Sequence, residues 1–278
     1  MGTIKQRGIQ RRSYVGIKDD KSRTSYGGNQ DWFSKEEGTL KEKWISQHGC
    51  GVVAITDLFL YWAMTHGEAK ESFVSKYIGE HQVILKEDYM KLIEEIRKRY
   101  AFIFGKAGTF GFELALGINR YNKDNQLPFV ARLNMGLNSV TMLRHIEDSL
   151  KMNHPIILMI GKANPNFLRW GDKIGIPFYK QIKNIRSARS SERGAFAHYE
   201  LAKEGVWGHF VTITGMLIDE KADYAHEHIM LRISSWGEEY YISYHHLRTY
   251  IHSISSPYLS ALITIDEKEV CNGTITFS

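Results

Sequence analysis

The most apolar stretch of the chain runs from Val52 to Met64, interrupted only by Thr56 and Asp57. It is preceded by Ser46-Gln47-His48-Gly49-Cys50-Gly51 and followed at Gly67 by a residue suited to a left-handed helix cap. A run with almost no polar face predicts a buried helix of about four turns. From Lys86 to Tyr100 the pattern changes. Tyr89, Leu92, Ile93, Ile96 and Tyr100 recur at helical spacing, and Glu94 and Lys98 pair on the wet face, which predicts an amphipathic helix. A short helix is expected over 112–121. Ser139 is expected to cap another that runs to about Met152 with Leu143, Ile146 and Leu150 as its apolar stripe. Pro155 then opens Ile156-Ile157-Leu158-Met159-Ile160-Gly161, a continuous apolar run of the buried-strand kind. After His209 the signals are all strand, over 210–214, 228–234, 240–243 and 258–265, with turns at Gly215, Gly237 and Pro257. Helices first and a mostly antiparallel sheet afterwards predict an α+β fold with a cleft between its halves.

Charge sharpens the picture at two places. Residues 1–25 form a basic arm in which Lys5, Arg7, Arg11, Arg12, Lys18, Lys21 and Arg23 face only Asp19 and Asp20. That excess accounts for the whole formal net charge of +5 in a chain of 278 residues. A solvated tail is expected there, in preference to an arm that touches nucleic acid. The segment from Lys173 to Arg193 is also basic, with Glu192 as its one acid, and lies within an irregular insertion over about 161–207. It is read as a lid over the cleft, or else as a solvated insertion. Residues 31–46 look like a charged surface excursion. With 43% hydrophobic and 24% charged residues the composition is that of an ordinary globular domain. No apolar run reaches membrane-spanning length, and the arm carries no apolar core of the secretory-signal kind. Two cysteines, Cys50 and Cys271, give no disulfide framework, so a reducing cytoplasm is expected.

Chemistry concentrates at Cys50. At the first turn of a helix the free N–H groups and the positive end of the dipole favour thiolate. Gly49 and Gly51, lacking side chains, would let a substrate backbone approach the sulfur. A small buried cysteine fits the position equally well. Downstream, Gly208-His209-Phe210-Val211-Thr212-Ile213-Thr214 begins a strand with histidine, and Leu231-Arg232-Ile233-Ser234-Ser235-Trp236-Gly237 ends another in a turn. A nucleophilic cysteine needs a base, and the base needs a group that orients its ring. Cys50, His209 and Ser234 occur in an order that suits those roles.

Order and context resemble the papain-like cysteine peptidases. The resemblance is to their bacterial branch, typified by the peptidase domain of the bacteriocin-processing (double-glycine leader) transporters and its uncharacterised relatives. It rests on Cys50-Gly51-Val52-Val53-Ala54 opening the helix, on Gly208-His209 at a strand start, and on Ser234-Ser235-Trp236-Gly237 where the papain branch carries Asn-Ser-Trp-Gly. It spans about residues 26–265 as separate motifs. The resemblance implies a papain-like fold: an N-terminal helical half over about 26–155, whose central helix bears the nucleophile, packed on a sheet half over about 156–278. It also implies Cys50 as nucleophile, His209 as base and Ser234 as orienter, with Trp236 shielding that contact and Gly208 bordering the substrate. Two departures stand out. The family's oxyanion glutamine falls on Trp44, leaving Gln30, which is preferred, or Gln47. The orienter is serine where the family has Asn or Asp, so it adds no charge to steady an imidazolium.

Other constellations carry less. His48 lies near Cys50 but points another way from a helix start. His226 and His228, and the tandem His245-His246, lack a metal-ligand framework. Asp57 shares the Cys50 face of the helix and is read first as satisfying a buried polar contact. Gly105-Lys106-Ala107-Gly108-Thr109 has no phosphate-loop spacing. The expected activity is a cysteine peptidase or amidase acting on a peptide or amide, without cofactor, metal, membrane or nucleic-acid partner. An acyl or peptidyl transferase through the same thioester is the first rival, and a catalytically silent binding module of the same fold is the second.

Overall fold

An apolar helix with no wet side must be wrapped on all sides, and the chain wraps this one with helices on one flank and a sheet on the other. The structure, a computed structural model, describes residues 4–34, 39–105, 108–162, 175–182, 198–219, 228–268, 270–271 and 274–275. The strands in chain order are β1 (Ile4–Gly8), β2 (Ile17–Lys18), β3 (Ile84–Leu85), β4 (Phe129–Asn134), β5 (Ile156–Ile160), β6 (Ile176–Gln181), β7 (Tyr199–Val206), β8 (His209–Asp219), β9 (Ile229–Ser235), β10 (Glu238–Ser243) and β11 (Ala261–Glu267). The helices are α1 (Leu40–His48), α2 (Cys50–Thr65), α3 (Lys86–Arg99), α4 (Gly111–Asp124), α5 (Ser139–Lys151) and α6 (Tyr244–Thr249). Nine of the strands form one antiparallel sheet in the order β4-β11-β5-β8-β9-β10-β6-β7, with β1 added to β8. The molecule is therefore α+β, as the sequence pattern predicts.

Strand β8 is the hub. Its first half pairs with β5, from Ile160 opposite His209 to Ile156 opposite Ile213, and its second half pairs with β1. Its other edge carries β9, with Thr212 opposite Ser234 and a register shift between Ile213 and Gly215. Helix α2 lies against β8 on one side and against α3 and α4 on another. Residues Gly51 to Met64 are all buried. Aromatic rings fill the far half of that core, with Phe59 stacked on Tyr121 and Trp62 against Phe129.

Several elements depart from the sequence expectation. The basic arm is no solvated tail. β1 pairs with β8 through its backbone, Arg7 forms an ion pair with Glu147 on α5, and Ile9, Tyr14, Val15 and Ile17 are buried. The charges mislead because this strand presents its polar side chains to water while its main chain and the residues after it do the packing. The charged excursion contains α1, opened by a capping box in which the Thr39 N–H donates to Glu42 Oε2 and the Glu42 N–H donates to Thr39 Oγ1. Asn138, not Ser139, caps α5, accepting from the Thr141 N–H at 2.9 Å. The helical half also supplies β4 to the sheet, and the sheet half supplies α6. Of the basic segment 173–193, Ile176–Gln181 forms β6, and 173–174 and 183–193 lie outside the described residues, so the lid reading is left with a paired strand at its centre.

A chain that begins after Gly16 forfeits β1 and the burial of Ile9, Tyr14 and Val15. Its unfolding free energy in urea should fall by at least about 4 kcal/mol, since each such side chain contributes roughly 1.5–3 kcal/mol. A loss within about 0.5 kcal/mol, the range of surface changes, would return the arm to the status of a tail.

Candidate active site

Two helices meet end to end at Gly49, which closes α1 and caps α2. Its N–H donates to the Ile45 carbonyl at 2.8 Å, and a Cβ there would come within 2.4 Å of the same oxygen. Only glycine permits the junction, and the junction makes Cys50 the first residue of α2. At Gly51 a Cβ would meet Leu114 Cδ1 at 2.9 Å and Thr109 Cβ at 3.2 Å. Both glycines thus serve close packing of the protein on itself. Neither lines the cavity beside Cys50.

Cys50, Gln30, Asp57, His209, Ser235 and Trp236 share one cavity, with Ser234 also in its lining. The space among them is about 20 Å³, room for one water or one carbonyl oxygen, so the bulk of any substrate must lie outside it. His209 opens β8 just after Gly208, whose φ of +61° suits the turn from β7. The ring is buried and stacks on the Trp236 indole, with centroids 4.2 Å apart and planes within 8°. The same indole also meets the Lys203 ammonium on β7, 4.4 Å from the ring centroid, and the rings of Phe178 and Tyr240. Trp236 itself has φ +48°, and Gly237 follows with φ +73°. Two successive positive φ values make the tight β9–β10 hairpin turn, and they swing the indole over the imidazole.

The third position differs from the sequence reading. Ser235 Oγ lies 2.8 Å from His209 Nε2, whereas Ser234 Oγ donates to the Tyr26 carbonyl at 2.8 Å. Successive strand residues face opposite ways, so only one of two adjacent serines can reach the ring. The tandem Ser-Ser was the visible signal, but its phase depends on a β8–β9 register that contains a shift. The glutamines are also resolved. Gln30 is buried, opens a single 3₁₀ turn (Gln30–Phe33) and donates from Nε2 to the Ser46 carbonyl at 2.8 Å, while Gln47 is exposed on α1 and outside the cavity lining. His48 is likewise outside that lining. Asp57 is buried, and it accepts from the Gly28 N–H and from the Tyr89 hydroxyl. His226 lies outside the described residues, and no cluster able to hold a metal ion occurs among the described ones.

Electrostatics revises the thiolate expectation. Burial pushes the Cys50 thiol up from its usual value, and the N–H groups of Phe210, Gly51 and Cys50 itself only partly oppose the shift. The helix terminus acts in the expected direction but loses to desolvation. Burial and then Lys203 hold the His209 imidazolium down to about 3. The pair therefore rests as a thiol beside a neutral imidazole. The Phe210 N–H on the sulfur places Cys50 against the residue next to His209.

A thiol with a raised pKa should alkylate slowly at pH 6. The rate for Cys50 with iodoacetamide, followed by mass spectrometry of its peptide, should climb about tenfold per pH unit and still be rising at pH 8. A plateau on the acid side of neutrality would mean a preformed thiolate. A scan of protein-family models finds no match to the chain, and a search of curated proteins finds none either, so the functional reading stands on the site itself.

Proposed function

We propose that the chain is a papain-like cysteine hydrolase that cleaves a peptide or amide through a thioester on Cys50. The observation that carries this reading is the convergence of Cys50, His209 and Gln30 on one cavity, with His209 Nε2 already engaged by Ser235. With Nε2–H donating to Ser235, His209 Nδ1 carries the lone pair and takes the thiol proton as sulfur attacks the carbonyl carbon. The neutral resting imidazole is the form a base requires. One N–H of the Gln30 amide is spent on Ser46, which fixes the group and leaves the second N–H to meet the oxyanion together with the Cys50 N–H. His209 then protonates the leaving amine, and water, activated by the same ring, releases the acid.

Trp236 covers the imidazole and keeps its contact with Ser235 away from water, as the resemblance implies. Replacing water by an amine would turn the same thioester to transfer. The reading carries a reducing cytoplasm with it, since the sulfur acts as a thiol. Ser235 brings no negative charge to steady an imidazolium, and this one feature favours the silent binding module as the second reading.

Incubation of the protein with a peptide library and mass spectrometry of the products tests the proposal. Cys50→Ala and His209→Ala should abolish cleavage. Gln30→Ala should lower kcat by about 10²-fold or more, the usual effect of losing one oxyanion donor. Ser235→Ala should lower it at least about tenfold by freeing the ring, while Ser234→Ala should retain more activity than Ser235→Ala. Cleavage that survives Cys50→Ala, or a parent with no turnover and no acyl-enzyme, would end the hydrolase reading.

A further inference from the structure

Asp57 sits two turns beyond Cys50 on the same face of α2 and is 1% exposed. The Gly28 N–H donates to both of its oxygens, at 3.2 and 2.9 Å, and the Tyr89 hydroxyl donates to Oδ1 at 2.7 Å. The backbone so held is Gly27-Gly28, directly ahead of Asn29, which caps the turn that Gln30 begins. That backbone is pressed into place with no room for side chains. Gly27 has φ +79°, and a Cβ on it would lie 2.2 Å from Ser234 Oγ and 2.5 Å from Asp57 Oδ2. A Cβ on Gly28 would lie 1.9 Å from the Tyr89 hydroxyl oxygen. Three further bonds fasten the same stretch: Gly27 N–H to the Val15 carbonyl, Tyr26 N–H to the Gly237 carbonyl, and Ser234 Oγ to the Tyr26 carbonyl. Those three tie it to the N-terminal segment and to the sheet. Asp57 ties it to the helix that carries the sulfur.

A fully buried carboxylate is a costly way to hold one amide, which a neutral side chain could do. A carboxylate differs in accepting strongly through both oxygens at once. We propose that Asp57 is a positioning residue that sets the oxyanion donor Gln30 against Cys50 by holding Gly28 from the nucleophile's own helix. This rests on the hydrolase reading and names a role for a residue outside the Cys-His-Gln set. Burial also lifts Asp57 to about 7, so its charge is present above neutrality and lost below it. The groups that face it are Tyr89 from α3, Tyr14 from the N-terminal segment, Ser234 from β9, Thr212 from β8, His209 across the cavity, and Cys50 on its own helix.

Two reagents read Cys50 differently in the full chain. Sulfur displaces iodide from iodoacetamide, and no oxyanion forms. With N-acetyl dipeptide aldehydes sulfur adds to the carbonyl carbon, the thiol proton passes to the carbonyl oxygen, and the hemithioacetal oxygen falls where Gln30 donates. Asp57→Ala should weaken aldehyde affinity about tenfold or more and leave the alkylation rate within about twofold. Asp57→Asn, which still accepts from Gly28, should keep most of the affinity at pH 8. It should also lose the step near pH 7 below which the parent's aldehyde affinity declines, and this comparison decides the matter if Asp57→Ala does not fold. Equal losses with both reagents would show that Asp57 merely supports α2, and unchanged binding of both would remove the role. A parent that is alkylated yet binds no aldehyde would overturn the hydrolase reading and this proposal with it.

Discussion

Enclosure of α2 is the constraint from which the other features follow. A helix whose residues Gly51 to Met64 are all buried must be covered by α3 and α4 on one flank and by β8 on another. That cover brings the first residue of the helix to the first residue of the central strand, which is how Cys50 and His209 come to share a cavity although they are far apart in sequence. The same enclosure dehydrates both groups. Burial that positions the pair also neutralises it, and the two effects cannot be separated without opening the core.

Proton transfer from Cys50 to His209 would create charge of both signs in a site that is otherwise poor in it. The thiolate would find the Phe210, Gly51 and Cys50 N–H groups and the helix terminus. The imidazolium would find Ser235 on one nitrogen and Lys203 opposing it across the indole. Support for the anion is built from backbone and is fixed, whereas the cation has one hydroxyl for it and one ammonium against it.

The sequence made the large pieces legible because they rest on strong local signals. An apolar run with glycines at its head defines α2, heptad-like spacing defines α3, and a strand that starts with Gly-His places His209 at the head of β8. The phase of a strand is a weaker signal, and there the reading slipped. Ser234 and Ser235 are chemically identical, and which one meets His209 is decided by the pairing of β9 with β8, which sets Ser234 opposite Thr212. Between Gln30 and Gln47 the sequence only favours the first, and it is Gln30 that the fold brings to the cavity wall, held by the Ser46 carbonyl. The N-terminal arm looks like a tail in the sequence for a physical reason: β1 contributes main-chain hydrogen bonds, which leave no trace in side-chain polarity. Helical periodicity places Asp57 on the Cys50 face, but its hold on Gly28 is a contact between a helix and a distant loop, beyond the reach of any periodicity.

The β9–β10 turn carries a wider consequence. Asn-Gly is the pair this hairpin geometry favours, and a tryptophan with φ +48° departs from it at a cost of about 1–3 kcal/mol. The indole stays because His209 lies under one of its contacts and Lys203 at another. Selection for a more robust hairpin would move position 236 toward asparagine or glycine, and selection for a sheltered imidazole would hold it at tryptophan. At that single residue the durability of the protein and the shelter of His209 are set against each other.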